Sequence, residues 1–294
     1  MNTLKFAKKL AIPLFVALAY GPAQGFAASL LGADLASFAV LGATPVVSCA
    51  GICTVGGNVG TSPAASVTGN FVFLPASGSL QLNTPTAQNA QLQLDAAILA
   101  VNAGSAGTNV ISTGDLDAWQ AAHGGFITPG TYDVAASTTN LDGLLKLNGL
   151  GNSNAVWRFR FSSTLITENG SGVLVQNVGS GSGVGIYWTV GSAATLRGDT
   201  FAGNVFANTL ISSDGGLTMG CGRLASATGA VTLDGAVNSV STGCLGIGAG
   251  SGGFDQAGVT SPIPEPETYA MLLAGLGLMG FVARRRQRNL AAAA

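Results

Sequence analysis

From Ala155 the chain reads Ala-Val-Trp-Arg-Phe-Arg-Phe-Ser-Ser-Thr-Leu to Leu165, and from Ile186 it reads Ile-Tyr-Trp-Thr-Val-Gly-Ser-Ala-Ala-Thr-Leu to Leu196. Each stretch is an apolar alternating strand, a turn, and a short strand closing on Thr-Leu. The pattern returns as Val205 and Ala207 before Thr209-Leu210-Ile211-Ser212, and as Leu224-Ala225 before Ala230-Val231-Thr232-Leu233. A short strand unit repeated at this spacing cannot bury its apolar side alone, but stacked copies can, which predicts a β-solenoid. Period-two alternation sends Leu165, Leu196 and Leu233 inward and Thr164, Thr195 and Thr232 outward.

The third unit needs a choice of register. Thr195 to Thr209 is 14 residues, whereas Thr195 to Thr232 is 37; placing Ser212 in the outward column gives more even steps of 17 and 20. The expected column is therefore Thr164, Thr195, Ser212 and Thr232. The longer step from Thr164 to Thr195 is assigned to a Gly/Ser loop at residues 179–183. Threonine also has high intrinsic β-propensity, so an exposed sheet would carry threonines without any ligand.

Both ends of the chain read as targeting segments. Residues 1–27 have a basic start (Lys5, Lys8, Lys9), an apolar run from Leu10 and small residues near Ala27, the order of a secretory signal peptide. At the other end Pro264-Glu265-Pro266 precedes an apolar stretch from Tyr269 to Ala283 and then Arg284, Arg285, Arg286 and Arg288. Fifteen helical residues rise about 22 Å, less than the roughly 30 Å of a bilayer core, and the arginines would stay cytoplasmic. This order, over residues 262–288, resembles the PEP-CTERM sorting signal of Gram-negative bacteria. The resemblance implies transient inner-membrane insertion of the tail, processing by an exosortase-type enzyme near the Pro-Glu-Pro, and release to the cell surface, the matrix or the medium.

Without its ends the chain changes character. Five basic residues remain (Lys146, Arg158, Arg160, Arg197, Arg223) against eleven acidic ones, a net charge near −6. A sparse, mildly acidic surface excludes a nucleic-acid partner, which needs a basic patch. The body, residues 30–245, is long enough for one core and is followed by a flexible linker at residues 246–261. The stretch 248–253 fits GxGxxG only formally, with no strand before it and no helix close after. One long helix is expected, starting at Thr84-Pro85 and stopping at Gly104, with Ala87, Ala90, Leu94, Ala97, Ile98 and Val101 on one side and Leu92 and Leu99 widening the stripe.

Four cysteines in an exported chain favour disulfides. Of the three possible connectivities, Cys49–Cys53 and Cys221–Cys244 is preferred, because the latter two lie about one repeat apart; a four-thiolate zinc site is the weaker alternative. Catalysis has little to stand on. His123 is the one histidine and sits beside two glycines, no GxSxG elbow is present, and Asp115, Asp117, Asp199, Asp214 and Asp234 read as turn or solvated residues. Neither enzyme activity, cofactor nor metal is expected.

The ordered set Phe38-Ala-Val-Leu41, Gly57-Asn-Val-Gly-Thr-Ser-Pro63, Thr128-Pro-Gly-Thr-Tyr132, Ala155-Val-Trp-Arg-Phe159, Trp188-Thr-Val-Gly-Ser192, Phe201-Ala-Gly-Asn204 and Gly229-Ala-Val-Thr-Leu-Asp234 resembles the microbial ice-binding protein family over Leu30 to Leu245. The resemblance implies an irregular right-handed β-helix of triangular section with a helix packed alongside, and terminal segments that dock beside each other. It also implies adsorption to ice through one flat β-face, with Thr164, Thr195, Ser212 and Thr232 as the ice-facing positions; a monomer is expected. Ile166, Arg197, Asp214 and Asp234, where small polar partners would be expected, depart from the pattern. An adhesive surface protein contacting exopolysaccharide through the same solenoid is the alternative function.

Overall fold

A computed structural model describes residues 30–103, 109–179, 184–197 and 200–242. The segments expected to be a signal peptide, a linker with its glycine motif and a sorting signal lie outside these residues, as do Cys244, Asp199, Gly104 and most of the expected Gly/Ser loop. The described strands form one 18-stranded sheet whose pairings are parallel, wound into a solenoid with three faces.

On the first face Gly130–Val134, Val156–Phe161 and Gly185–Val190 pair in succession, followed by the second halves of Thr200–Ala207 and Thr218–Ser226. There the sequence order breaks. Phe38–Gly42 pairs with the Thr218–Ser226 strand through Val40↔Leu224 and carries the ladder on to Asn58–Thr61 and Leu80–Leu82. The N-terminal coils thus dock beside the C-terminal ones, as the resemblance implies.

That break leaves the chain at one end of the stack after Leu82 and obliges it to return to the other. Helix α2, Pro85–Asn102, makes the return along the first face; its 18 residues span about 27 Å, between five and six strand spacings of roughly 4.8 Å. The Thr84 side chain accepts a hydrogen bond from the Ala87 N–H, and Pro85 sits at the first helical position. Ala87, Ala90, Leu94, Ala97 and Val101 are buried against Leu35 of the short helix α1 (Ala33–Ala36) and against Phe38, Leu41, Tyr187, Phe206 and Ala225. Leu92 and Leu99 do not widen this stripe; they are 69% and 70% exposed. At about 100° per residue each lies roughly 200° around from a buried position two residues later, so both point to solvent.

Inside the coils the core is continuous. Tyr132, Phe159, Trp188 and Phe201 stack along the solenoid axis with centroid separations of 5.3, 4.2 and 5.0 Å. The indole N–H groups of Trp157 and Trp188 donate to the carbonyls of Ile127 and Ala202, so neither buried polar group is left without a partner. Gly203, at φ 104°, lies where a Cβ would come within 2.6 Å of Ile186, so only glycine lets the chain turn this corner against the core. Arg223 is buried and donates to the Ala36 carbonyl and to the Asn204 side-chain oxygen, tying α1 to the C-terminal coil. Cys49 and Cys53 are disulfide-bonded, as the preferred connectivity has it; Cys221 is also disulfide-bonded, and its expected partner Cys244 lies outside the described residues.

Candidate functional site

The second face is built from the short strands. Leu165–Ile166, Ala193–Leu196, Leu210–Ser213 and Val231–Leu233 pair in succession, then the beginnings of Val47–Gly56 and Val67–Phe73. Ala194, Ile211, Val231 and Val47 align as one inward row, with Leu196, Ser213, Leu233 and Cys49 as another, and all eight are buried. Between these rows the side chains must point outward. Thr195 pairs with Ser212, Ser212 with Thr232, Thr232 with Ser48, and Ser48 with Thr68. Five consecutive hydroxyl side chains therefore stand in register at the strand spacing of roughly 4.8 Å.

The choice of Ser212 over Thr209 holds, but Thr164 does not belong to the column. Leu165 pairs with Ala194 and Ile166 with Thr195, so Ile166 fills the place assigned to Thr164, which lies two residues short of it. Sliding a strand by two residues preserves which side chains face in and out, so alternation cannot detect the slip. Ser48 and Thr68 were missed for a different reason: their neighbour Thr232 is remote in sequence and meets them only across the docked termini. Val47-Ser48-Cys49 and Val67-Thr68-Gly69 nevertheless repeat the apolar, hydroxyl, small-or-apolar signature of Val231-Thr232-Leu233.

Charged groups border the column along one edge. Arg197 reaches Asp214 at 3.3 Å and Glu168 at 3.4 Å, so the row two residues beyond the threonines is an ion-pair ladder with Asp234 next to it. On the opposite side Ala193 and Leu210 are apolar and align with each other. The Ser212 hydroxyl donates to Thr195 Oγ1 at 3.4 Å, which fixes the orientation of two members of the column. The Cys49–Cys53 disulfide clamps the corner just past Ser48, where the strand bends away to the third face.

Asp115, Asp117 and His123 make local contacts within the fold. Asp115 caps helix α3 (Leu116–Ala122) by accepting from the Ala118 N–H at 2.9 Å. Asp117 accepts the N–H groups of Asp142 and Gly143, and burial raises its carboxyl pKa above the ordinary aspartate value. His123 stacks on Trp119 with centroids 3.8 Å apart, its Nδ1 2.7 Å from the Trp119 carbonyl.

The chain is thus a three-faced parallel solenoid with one face roofed by a helix and another carrying an uncovered hydroxyl column. Residues 40–238 match the family described as Ice-binding-like, and residues 262–286 match the PEP-CTERM protein-sorting motif. An ice-binding protein from Nostoc sp. (strain HG1) is 34% identical over 291 residues, covering 97% of this chain and 99% of the relative. Among solved structures, an ice-binding protein from the Antarctic ascomycete Antarctomyces psychrotrophicus is 31% identical with a TM-score of 0.61, covering 71% of this chain and 96% of that one. Another, from an Antarctic biological consortium, is 26% identical with a TM-score of 0.58, covering 82% and 96%. The chain belongs to the ice-binding-like family. It carries the sorting motif of an exported protein, and the family's function is not enzymatic.

Proposed function

We propose that this chain is an exported ice-binding protein that adsorbs to ice through its second face. The observation that carries the reading is the in-register column Thr195, Ser212, Thr232, Ser48 and Thr68 on a rigid, disulfide-clamped sheet. Hydroxyls at a fixed spacing can hold ordered waters while the threonine methyls restrict those between them. Because the surface is set before contact, little conformational entropy is lost on adsorption. The Glu168–Arg197–Asp214 ladder holds its own hydration, so the adsorbing strip is narrow and its edge is the charged row. The protein acts as a monomer without catalysis, and its tail inserts transiently in the inner membrane until an exosortase-type enzyme cuts near Pro264-Glu265-Pro266.

The test is ice recrystallisation and crystal shape with purified residues 29–261 and with Thr195→Tyr and Thr232→Tyr. Inhibited recrystallisation and faceted crystals are expected for the wild type, with loss in the tyrosine variants, whose rings would stand clear of the plane. Round crystals and unimpeded recrystallisation with the wild type would overturn the reading.

A further inference from the structure

The third face carries a second array of the same chemistry, and we infer that it is a second ice-adsorbing plane, so that the molecule grips ice through two faces meeting at one edge. The inference rests on the reading that the ligand is ice. On this face Thr200 pairs with Thr218, Thr218 with Ser239, Ser239 with Thr54, and Thr54 with Val72. Phe201, Met219, Val240 and Val55 point inward beside them and are buried. A parallel outward row stands two residues earlier, where Val237 pairs with Ile52 and Ile52 with Asn70.

Two properties separate this array from an ordinary solvated sheet. First, its apolar members are large and bare: Val237 is 61% exposed, Ile52 47% and Val72 45%. These exposed β-branched side chains stand in register with the hydroxyls, so apolar and hydroxyl groups alternate in order on one surface. Second, the described strands at these positions carry no ionisable side chain, and Lys146 stands apart at the far end of the face on Leu144–Asn148. Among the described residues no hydrogen bond occupies the hydroxyls of Thr54, Thr218 or Ser239. On the second face Thr195, Ser212 and Thr232 have a charged residue two positions on, Arg197, Asp214 and Asp234; on the third face Ser239 and Thr54 have the apolar Val237 and Ile52 two positions before.

The occupant follows from charge, size and continuity. An electrically neutral lattice of water suits an array with no ionisable side chain, because a charge would keep its own hydration shell in place. The hydroxyl–apolar array spans on the order of 150 Å² from the strand spacing and rise, whereas a specific protein partner needs about 800 Å² of surface from each side. The third face is also continuous with the second. A single strand, Val47–Gly56, places Ser48 on one and Ile52 and Thr54 on the other, and the Cys49–Cys53 disulfide lies at the bend between them. The two planes are therefore fixed relative to each other, so adsorption on both would engage different crystal planes.

The experiment uses fluorescently labelled exported chain, residues 29–261, adsorbed to a single-crystal ice hemisphere. It compares the wild type, the pair Thr195→Tyr/Thr232→Tyr, the pair Thr54→Tyr/Thr218→Tyr, and all four changes together. Two sets of labelled planes are expected for the wild type, one set lost with each pair, and none left with all four. Val237→Lys/Ile52→Lys, which adds charge without adding a ring, should remove the same planes as Thr54→Tyr/Thr218→Tyr, with thermal unfolding tracked for every variant. A third-face pair that keeps the full wild-type pattern and a several-fold weaker signal from the second-face pair alone would overturn the inference while leaving the proposed function intact. An unlabelled hemisphere with the wild type would overturn both. Loss confined to the third-face variants would overturn the assignment of the second face and with it the two-face grip, leaving the third face as the adsorbing plane.

Discussion

The same coils build a covered face and a bare one. The strand Gly185–Val190 turns Tyr187 toward helix α2, and a few residues later Thr195 stands on the second face. Phe206 and Ser212 repeat the contrast on the next coil, Ala225 and Thr232 on the one after, and Leu41 and Ser48 on the docked N-terminal coil. Backbone pairing is alike in both places. What differs is the outward side chain: where it is apolar a helix and its own apolar stripe cover it, and where it is a short hydroxyl the face can stay open to water.

The sharpest way to break this contrast is to remove a large side chain from the covered face. Phe206→Ala should lower unfolding stability by about 3–5 kcal/mol, because the cavity lies between two packed layers, and chemical denaturation would measure it. Arg223→Leu should cost about 3 kcal/mol by leaving the Ala36 carbonyl and the Asn204 oxygen buried without a donor; early hydrogen exchange in residues 30–42 would show that the N-terminal coil has loosened. Cys49→Ser/Cys53→Ser should cost about 2 kcal/mol, the entropy of so short a closed loop, and should weaken ice adsorption along with it. Thr195→Ala, on the bare face, should shift stability by less than about 0.5 kcal/mol.

The covered face also has a pH signature. Burial under the helix pushes the Tyr187 phenol up to about 12 from its ordinary 10.0, against weaker opposing effects of Arg223 and Arg158. The folded chain then keeps this proton where the unfolded chain releases it, so stability falls as pH rises from about 10 toward about 12. Thermal unfolding at stepped alkaline pH should show the fall, and Tyr187→Phe should reduce it. No hydroxyl of the bare face titrates in that range.

Much of this architecture is legible in the residues. Alternation gives the inward leucines 165, 196 and 233, and Thr84-Pro85 gives the helix start, because both are local consequences of backbone geometry. The evenness of the coil steps even selects Ser212. The limit appears where geometry is degenerate or remote. Thr164 and Ile166 have the same in-out parity, and hydrogen bonding alone chooses between them. Leu92 and Leu99 look like part of an apolar stripe until the helix is set on its bed. The third face has no Thr-Leu signature at all; Thr218, Ser239 and Thr54 become neighbours only when the terminal coil lies against the N-terminal one.

By itself, then, the sequence determined that this is an exported solenoid with outward threonines and a capped helix, since period, capping and targeting signals act over a few residues. The tertiary structure decided which hydroxyls share a row, that Ser48 and Thr68 extend the column past the end of its repeat, and that a second, charge-free array lies around the corner. Those are pairings between strands up to 185 residues apart, as from Thr232 to Ser48 or Ser239 to Thr54, and no local preference encodes them. They follow from the docking of the termini, which buries Phe38, Leu41 and the Arg223 guanidinium together under one helix.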